Sequence, residues 1–578
     1  MYRIAQIFLF LFVVCGYNFS EAQVSPYPKR LPGTGRNYSE LLQSCELLDK
    51  QCSEIEILKV GDTDAGMPLH LLIYDSEKMF KPVLLEKRTK PVLFVLNGIH
   101  PGEPDGIDAS IEWIEMFISD KSYTNLLKQI TLVFIPVYNV DGMLERGCCS
   151  RANQNGPTQY GFRGNGRNLD LNRDFMKTDS RNAITLVRIL HQWNPDVFID
   201  THVSNGADYP YTMTILSSLP ARQVRSIREF NELKFTPELY ESMKKSGFPS
   251  VPYIYTLRQT PDSGIVAFDD SPRYSSGYMS LFQTISVLSE THMLKPYEQR
   301  VAATKSFLDN VFRITVKFKS EILKRRLEAV QLVKNEKYVP ISFKTDYSRF
   351  SELSFSRYKA EYKNVDFGSG ERLAYNREVQ DSVKIRYYQS VYCTDSIKKP
   401  VAYVIPYAWN EICNFLEYRG IQCVKLERDT VLKVAADYIT DYRTTSYPYE
   451  GHYLHYNIKT RTVELTRKFK RGDVLVYTGS SSDRYLVNSL EARALDSFFA
   501  WGYFDSVLQQ KEHYSAYVFE DTATKLFQND KSLREDFERK FRSDSLFAKD
   551  RSLQLDYVYK RSQYYENTAY LYPVMRIP

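Results

Sequence analysis

The chain has 578 residues, more than one hydrophobic core usually supports, so two or more domains are expected. Its formal charge of +6 comes from 76 basic and 70 acidic residues without a basic block, which excludes an electrostatic footprint for nucleic acid. The 44 tyrosines suit ordinary cores and wet-edged surfaces as well as peptide- or glycan-binding grooves.

Residues 1–22 read as a secretory signal: Arg3 gives a positive start, Ile4 to Val14 an apolar middle, and Ser20-Glu-Ala22 a small-residue cleavage site. A secreted or periplasmic location is therefore expected. The apolar part is shorter than the roughly 20 residues needed to cross a bilayer, so no transmembrane span is expected in the mature chain. Lipid attachment at Cys15 is the lesser option, because Val14 before it is bulky. Of eight cysteines, Cys15 lies in this leader and an odd number remains. Cys45 with Cys52, or Cys413 with Cys423, are close enough in sequence to be candidate disulfides.

Residues 23–66 form a turn-rich strap with one amphipathic helix near Tyr38 to Leu48. An α/β alternation follows over residues 67–330. Pro91-Val-Leu-Phe-Val-Leu-Asn-Gly-Ile99 reads as a buried strand running into His100. A helix is expected from about Asp105 to Ile118 and a strand from Ile130 to Tyr138. After a Gly/Asn-rich loop, a helix near Arg181 to Trp193 feeds the strand Asp196-Val-Phe-Ile-Asp-Thr-His202. Helical signals recur near Ala221 to Ser246. The strand Ile285-Ser-Val-Leu-Ser-Glu290 comes next, and Pro296 opens one long helix to about Val330. Over residues 331–578 the texture changes to short Tyr/Val/Thr-rich strands (401–407, 452–456, 463–466, 474–477) and then charged helices, an α+β accessory domain.

Ligands of an α/β sheet lie beyond the carboxyl ends of its strands. Three strands end there on His100, His202 and Glu290, and Glu103 sits across a tight Pro-Gly turn from His100. Two histidines, a near carboxylate and a distant one are the inventory of a catalytic zinc site with an open position and a nearby base.

His100-Pro-Gly-Glu103 resembles the first ligand pair of the zinc carboxypeptidase family, the funnelin-type metallopeptidases. Asn139-Val-Asp-Gly142 resembles that family's Asn-Pro-Asp-Gly turn, with Val140 in place of proline. Arg163-Gly-Asn-Gly-Arg-Asn-Leu-Asp-Leu-Asn-Arg-Asp-Phe175 is similar to its Arg-x-Asn…Asp-Leu-Asn-Arg-Asn-Phe signature, departing from it at Asp174. The resemblance covers a little under half the chain and implies a mixed, twisted sheet sandwiched by helices. It implies one Zn²⁺ per chain on His100, Glu103 and His202, with Glu290 as general base and Arg163 as oxyanion stabiliser. Asn172 and Arg173 would grip the substrate's terminal carboxylate, a task suited to arginine's planar, permanently charged fork.

Arg273 and Tyr274, in the turn-rich segment before the last strand, are further candidates for substrate contact. The family's mobile tyrosine could be Tyr253, Tyr255, Tyr274 or Tyr278. Asp200, on the face opposite Thr201, is a weaker candidate for orienting a ligand, and His292 reads as structural. A rival cluster, Glu450-Gly-His-Tyr-Leu-His455, would diverge in a strand, where residues three apart face opposite sides.

The activity implied is hydrolysis of the C-terminal peptide bond by a bacterial-like secreted member, on peptides or peptidoglycan-derived substrates. A zinc amidase acting on muropeptides or N-acyl amino acids, and a non-catalytic peptide- or glycan-binding module, are the alternatives.

Overall fold

The computed structural model describes residues 30–578; the expected signal, residues 1–22, lies outside them. No helix among the described residues is long and apolar enough to cross a membrane.

Helix α1 (Tyr38–Gln51) opens on a capping box in which Asn37 and Glu40 satisfy each other's backbone N–H groups. Strands β1 (Ile55–Asp62), β2 (Pro68–Tyr74) and β3 (Val92–Leu96) follow, then helix α2 (Asp105–Ser119). Next come α3 (Thr124–Leu127), β4 (Thr131–Ile135), the short α4 (Val140–Leu144) and α5 (Arg181–Trp193). After β5 (Val197–Ser204) and β6 (Met213–Ser217) lie α6 (Arg225–Phe230), α7 (Thr236–Lys245), β7 (Val251–Pro252), β8 (Ile265–Val266), α8 (Ser275–Leu281) and β9 (Ile285–His292).

Eight of these strands form one sheet in the order β1-β2-β4-β3-β5-β9-β6-β7. The centre, β4, β3, β5 and β9, is parallel; β1 and β2 run antiparallel to their neighbours, and β6 is antiparallel to β9 but parallel to β7. Strands β3, β4 and β5 are buried along their whole length, which explains why they read as unbroken apolar runs rather than alternating ones. Helices cover both faces. On β5 the Thr201 side meets α2 and the Asp200 side meets α8, where Ser275 Oγ donates to Asp200 at 2.7 Å.

Expectation and structure differ at three places. The single long helix is two, α9 (Tyr297–Lys317) and α10 (Lys319–Asn335), broken at Phe318, whose ring packs edge-on against Phe230. Neither candidate disulfide is present: Cys148 is joined to Cys149, and Cys45, Cys52, Cys413 and Cys423 are free thiols. The strands of the C-terminal region are longer than their sequence texture suggests. Strands β10 (Tyr338–Thr345), β11 (Ser351–Asn364), β12 (Glu371–Tyr388) and β13 (Val391–Lys398) form two antiparallel pairs, and the end of β12 also pairs with β8. A six-stranded sheet contains β14 (Ala402–Ile405), β15 (Val424–Lys425), β16 (Thr430–Thr444), β17 (His455–Phe469), β18 (Val474–Tyr477) and β19 (Met575–Ile577). Strands β11, β12, β16 and β17 carry many exposed positions, so hydrophobicity alone under-reports their length.

The two regions share one apolar core, which runs from Phe94 and Phe198 through Tyr278 and Leu281 to Tyr403, Leu416 and Tyr485. Arg419 crosses between them. Fully buried, it donates to Tyr278 Oη at 2.8 Å and to the carbonyl of Phe175 at 2.7 Å, and it lies over the Tyr485 ring.

The start of α2 is pressed against β5 at Gly106, where a methyl group would overlap Thr201, the residue before His202. Gly106→Ala is therefore expected to lower unfolding free energy by about 1–3 kcal/mol, the usual range for overpacking, measured by urea denaturation.

Candidate active site

The parallel pairing of β5 and β9 sets His202 directly opposite Glu290. His100 and Glu103 come from the loop that leaves β3, next to β5 in the sheet. One donor atom from each of His100, Glu103 and His202 lies within 4.8 Å of the others, and all three residues are buried. His100 Nδ1 is 3.3 Å from Glu103 Oε1, and His202 Nδ1 is 3.2 Å from Glu103 Oε2. A tetrahedral zinc with N and O ligands at roughly 2.0–2.1 Å separates neighbouring donors by about 3.3 Å, so this donor set has the spacing and chemistry to hold one.

The outward nitrogens are also engaged. His100 Nε2 is 2.9 Å from Asp170 Oδ1, and His202 Nε2 is 3.0 Å from Asp200 Oδ2. Each imidazole thus turns Nδ1 toward its partner ligand with a carboxylate behind it: Asp170 hydrogen-bonds His100 and fixes its ring orientation, while Asp200 faces His202 Nε2 as a close charge without hydrogen-bond geometry. Asp200, the weaker candidate for orienting a ligand, lies within ion-pair distance of His202. It lies two residues before His202 on the same strand face, so the two-residue period itself places the pair together. Burial opposes charge on His202, but Asp200 and Glu103 outweigh it and hold the imidazole well above its usual pKa. Burial likewise opposes charge on Glu103, yet Arg151 and His100 hold its carboxyl well below the usual range. The carboxylates that favour a proton on His202 would favour a metal cation in its place.

Arg163 Nε is 3.0 Å from Asp170 Oδ2, and its Nη1 reaches within 3.4 Å of Glu103 Oε1. The Asn139-Val-Asp-Gly142 turn supports this position, because Asn139 Nδ2 donates to the Arg163 carbonyl at 2.9 Å while its Oδ1 accepts from Gly142. Asn172 and Arg173 sit in a short 3-10 turn capped by Asp170. The departure at Asp174 has a local cause. Its carboxylate is fully buried and shares the equally buried Lys177 with Asp179, at 2.9 and 2.6 Å, while its other oxygen accepts from Ser180.

His100, Glu103, His202, Glu290, Arg163, Asn172, Arg173 and Tyr274 all line one cavity of about 370 Å³. Arg273 is not among the lining residues. It forms a 2.7 Å ion pair with Asp496 of the C-terminal region, which corrects its expected place in the cleft. Of the four candidate tyrosines, Tyr253 and Tyr274 line the cavity, Tyr278 is buried beneath Arg419, and Tyr255 is exposed outside it. His292 faces away, with Nε2 2.9 Å from the Ala207 carbonyl, and burial lowers its pKa to about 4. The rival histidines diverge, although His452 lies in the turn before β17 rather than in a strand: His452 pairs with Asp179 and His455 with Asp505.

Sequence reasoning missed several lining residues. Arg151, in the Gly/Asn-rich loop, binds Glu103 Oε1 at 2.6 Å and the Val203 carbonyl at 2.8 Å. Leu216, Phe268 and Leu288 form an apolar wall. Leu288 alone had a signal, lying two residues before Glu290 on the same strand face. Tyr274 links wall to charge: its ring packs on Phe268 and carries the Arg173 guanidinium 4.5 Å from its centroid. Burial pushes Glu290 up to about 7, His202 pulls it back and Glu103 raises it again; one edge of the carboxyl stays open to the cavity.

The family model for zinc carboxypeptidases matches residues 41–234. Carboxypeptidase 2 of Trichophyton rubrum is 22% identical over 432 residues, covering 71% of this chain and 73% of the relative. Carboxypeptidase 2 of Trichophyton equinum is 21% identical over 433 residues, with 71% and 73% covered. Among solved structures, a metallo-carboxypeptidase from Pseudomonas aeruginosa in complex with (2-guanidinoethylmercapto)succinic acid is 15% identical, covers 50% of this chain and 70% of its own, and has a TM-score of 0.38. A metallo-carboxypeptidase from Burkholderia cenocepacia is 16% identical, with 49% and 70% covered and a TM-score of 0.37.

Because Asp200 backs His202, Asp200→Asn is expected to weaken zinc retention by about 10–100-fold. Competition against a chelator measures this, with the circular dichroism spectrum unchanged.

Proposed function

We propose, for a chain whose residues 41–234 belong to the zinc carboxypeptidase family, that the protein is an exported carboxypeptidase removing apolar residues from the free C-terminus of peptides. The observation that carries this reading is Arg173, a fixed cation lining the same cavity as the His/Glu/His cluster and Glu290. An enzyme cutting within a chain has no need of a cation there; one that reads a terminal carboxylate does.

His100, Glu103 and His202 would hold the zinc, with Asp170 and Asp200 behind the two imidazoles. Bound there, zinc supplies Lewis acidity and makes water nucleophilic near neutral pH. Glu290 takes a proton from the attacking water and returns it to the departing nitrogen as the C–N bond breaks, work suited to a carboxyl tuned upward by burial. Arg163 donates to the carbonyl oxygen as it becomes anionic. Arg173 spends Nε on Tyr449 and one Nη1 hydrogen on the Asn172 carbonyl, with Asp170 Oδ2 3.7 Å from Nη1, which leaves Nη2 for the substrate carboxylate. Asn172 accepts from Ser275 N through Oδ1, leaving its amide nitrogen to donate.

With the carboxylate held there, the side chain of the departing residue meets Leu216, Phe268, Leu288 and the rings of Tyr253 and Tyr274. That wall carries no carboxylate, so a basic end has no partner and an apolar one is favoured. The signal read at residues 1–22 supports export, and extracellular or cell-wall peptides then become the available substrates.

Glu290→Gln is expected to lower kcat by about 10²–10⁴-fold with zinc content near one per chain; unchanged turnover would reject the assigned base. In the wild type the base must be ionised, so kcat/KM should fall with acid. A bound dication lowers the carboxyl further, placing this limb at or below about pH 7. Among peptides ending in Phe, Leu or Lys, the Lys-ended one should be cleaved slowest. Amidating the end should reduce kcat/KM by at least about 30-fold, the lower bound for stripping one side of a buried charge pair. Faster hydrolysis of muropeptides or N-acyl amino acids than of any free peptide would replace this reading with the amidase one.

A further inference from the structure

One turn of the C-terminal region reaches the candidate site. Strands β16 and β17 form a hairpin whose connection folds back where Tyr449 and His452 exchange backbone hydrogen bonds of 2.7 and 3.1 Å. The two residues between them, Glu450 (φ 50°) and Gly451 (φ 83°), both occupy left-handed backbone. Asn, Asp and Gly dominate such paired positions, so a glutamate there is held against its own preference. Its side chain has a specific destination: Glu450 Oε2 accepts the backbone N–H of Asp170 at 2.7 Å. Beside it, Tyr449 Oη accepts from Arg173 Nε at 3.0 Å.

The turn is itself anchored. His452 Nε2 lies 2.8 Å from Asp179 Oδ2, and the Tyr449 ring stacks on Trp501 with centroids 6.0 Å apart. Arg273 lies over both rings at 5.5 and 5.2 Å while paired with Asp496. The arginine expected to touch substrate instead braces the element that touches Arg173.

We infer that Tyr449 and Glu450 are positioning residues through which the C-terminal region sets the grip on the substrate's terminal carboxylate. This rests on the carboxypeptidase reading above. Arginine has five N–H donors in one plane, and fixing Nε fixes the direction of the terminal edge. Without the Tyr449 hydroxyl the guanidinium swings about its last torsions, and substrate binding must freeze it. The carboxylate is held alike in ground and transition states, so the loss falls on KM rather than kcat. Glu450 acts one step back, fixing the backbone of the residue that caps the Asn172–Arg173 turn.

The test compares three variants on an N-blocked peptide ending in phenylalanine. Tyr449→Phe keeps the stacked ring and removes only the hydroxyl. Glu450→Gly removes the carboxylate while suiting the left-handed backbone, so a merely structural turn would tolerate it or gain from it. Glu450→Gln keeps an acceptor oxygen. The expected result is a KM about 10-fold higher for Tyr449→Phe and Glu450→Gly, kcat within about twofold, and a KM near wild type for Glu450→Gln. Calorimetric binding of N-acetyl-phenylalanine, with each variant combined with Glu290→Gln, should give the same order of Kd. Unchanged KM and Kd in Tyr449→Phe and Glu450→Gly, or a fall in kcat or melting temperature with KM unmoved, would overturn the inference. A wild-type protein that cleaves no peptide rejects the carboxypeptidase reading; one that cleaves normally alongside unaffected variants rejects only the positioning role.

Discussion

Buried charge is tolerated only in company, and the candidate site is built around that constraint. Asp170 is its hinge: one oxygen meets His100 and the other Arg163, while its backbone N–H is taken by Glu450. Glu103 is shared in the same way among His100, His202, Arg151 and the Val203 N–H. Removing one member would strand another in a low-dielectric interior, which costs more than the lost contact itself. The site is therefore fixed before any ligand arrives, as chemistry demanding sub-ångström placement requires.

Backbone architecture supplies the other half of that placement. Parallel pairing of β5 with β9 makes His202 and Glu290 neighbours, and the close approach of α2 at Gly106 sets the loop carrying His100 and Glu103 beside them. The Asn139–Gly142 turn does the same for Arg163. His202 and Glu290 thus rest on fully paired strands, His100, Glu103, Arg151 and Arg163 on loops tied down by hydrogen bonds, and Leu216, Phe268 and Leu288 line the apolar side.

The parts legible in sequence were those with a strict period or a short-range motif. Buried parallel strands announce themselves as apolar runs, and His100, His202 and Glu290 could be placed at their ends because strand termini are where such sheets expose side chains. Asp200 was legible too, since the two-residue period that excludes Thr201 from the site includes it. Arg151 and Phe268 were not, because loop residues reach a site through three-dimensional folding that leaves no periodic trace. Arg273 failed for a related reason: it neighbours Tyr274 in sequence, but its charge is claimed by Asp496, some two hundred residues away. The long β-hairpins were under-read because strands exposed on one side lack a strong apolar signal, and the cysteine pairing because nearness along the chain does not decide it.

Arg419 bears on how independent the two regions are. No carboxylate contacts it directly among the described residues; it is met by the carbonyls of Phe175 and Phe415, the hydroxyls of Tyr278 and Thr178 and the faces of two tyrosines, drawn from both halves of the chain. Separating the halves would uncover that cation together with the apolar surface around it. The C-terminal region is thus less a detachable module than the second half of a single cooperative unit, and recombining either half with a foreign partner would have to rebuild this seam residue by residue.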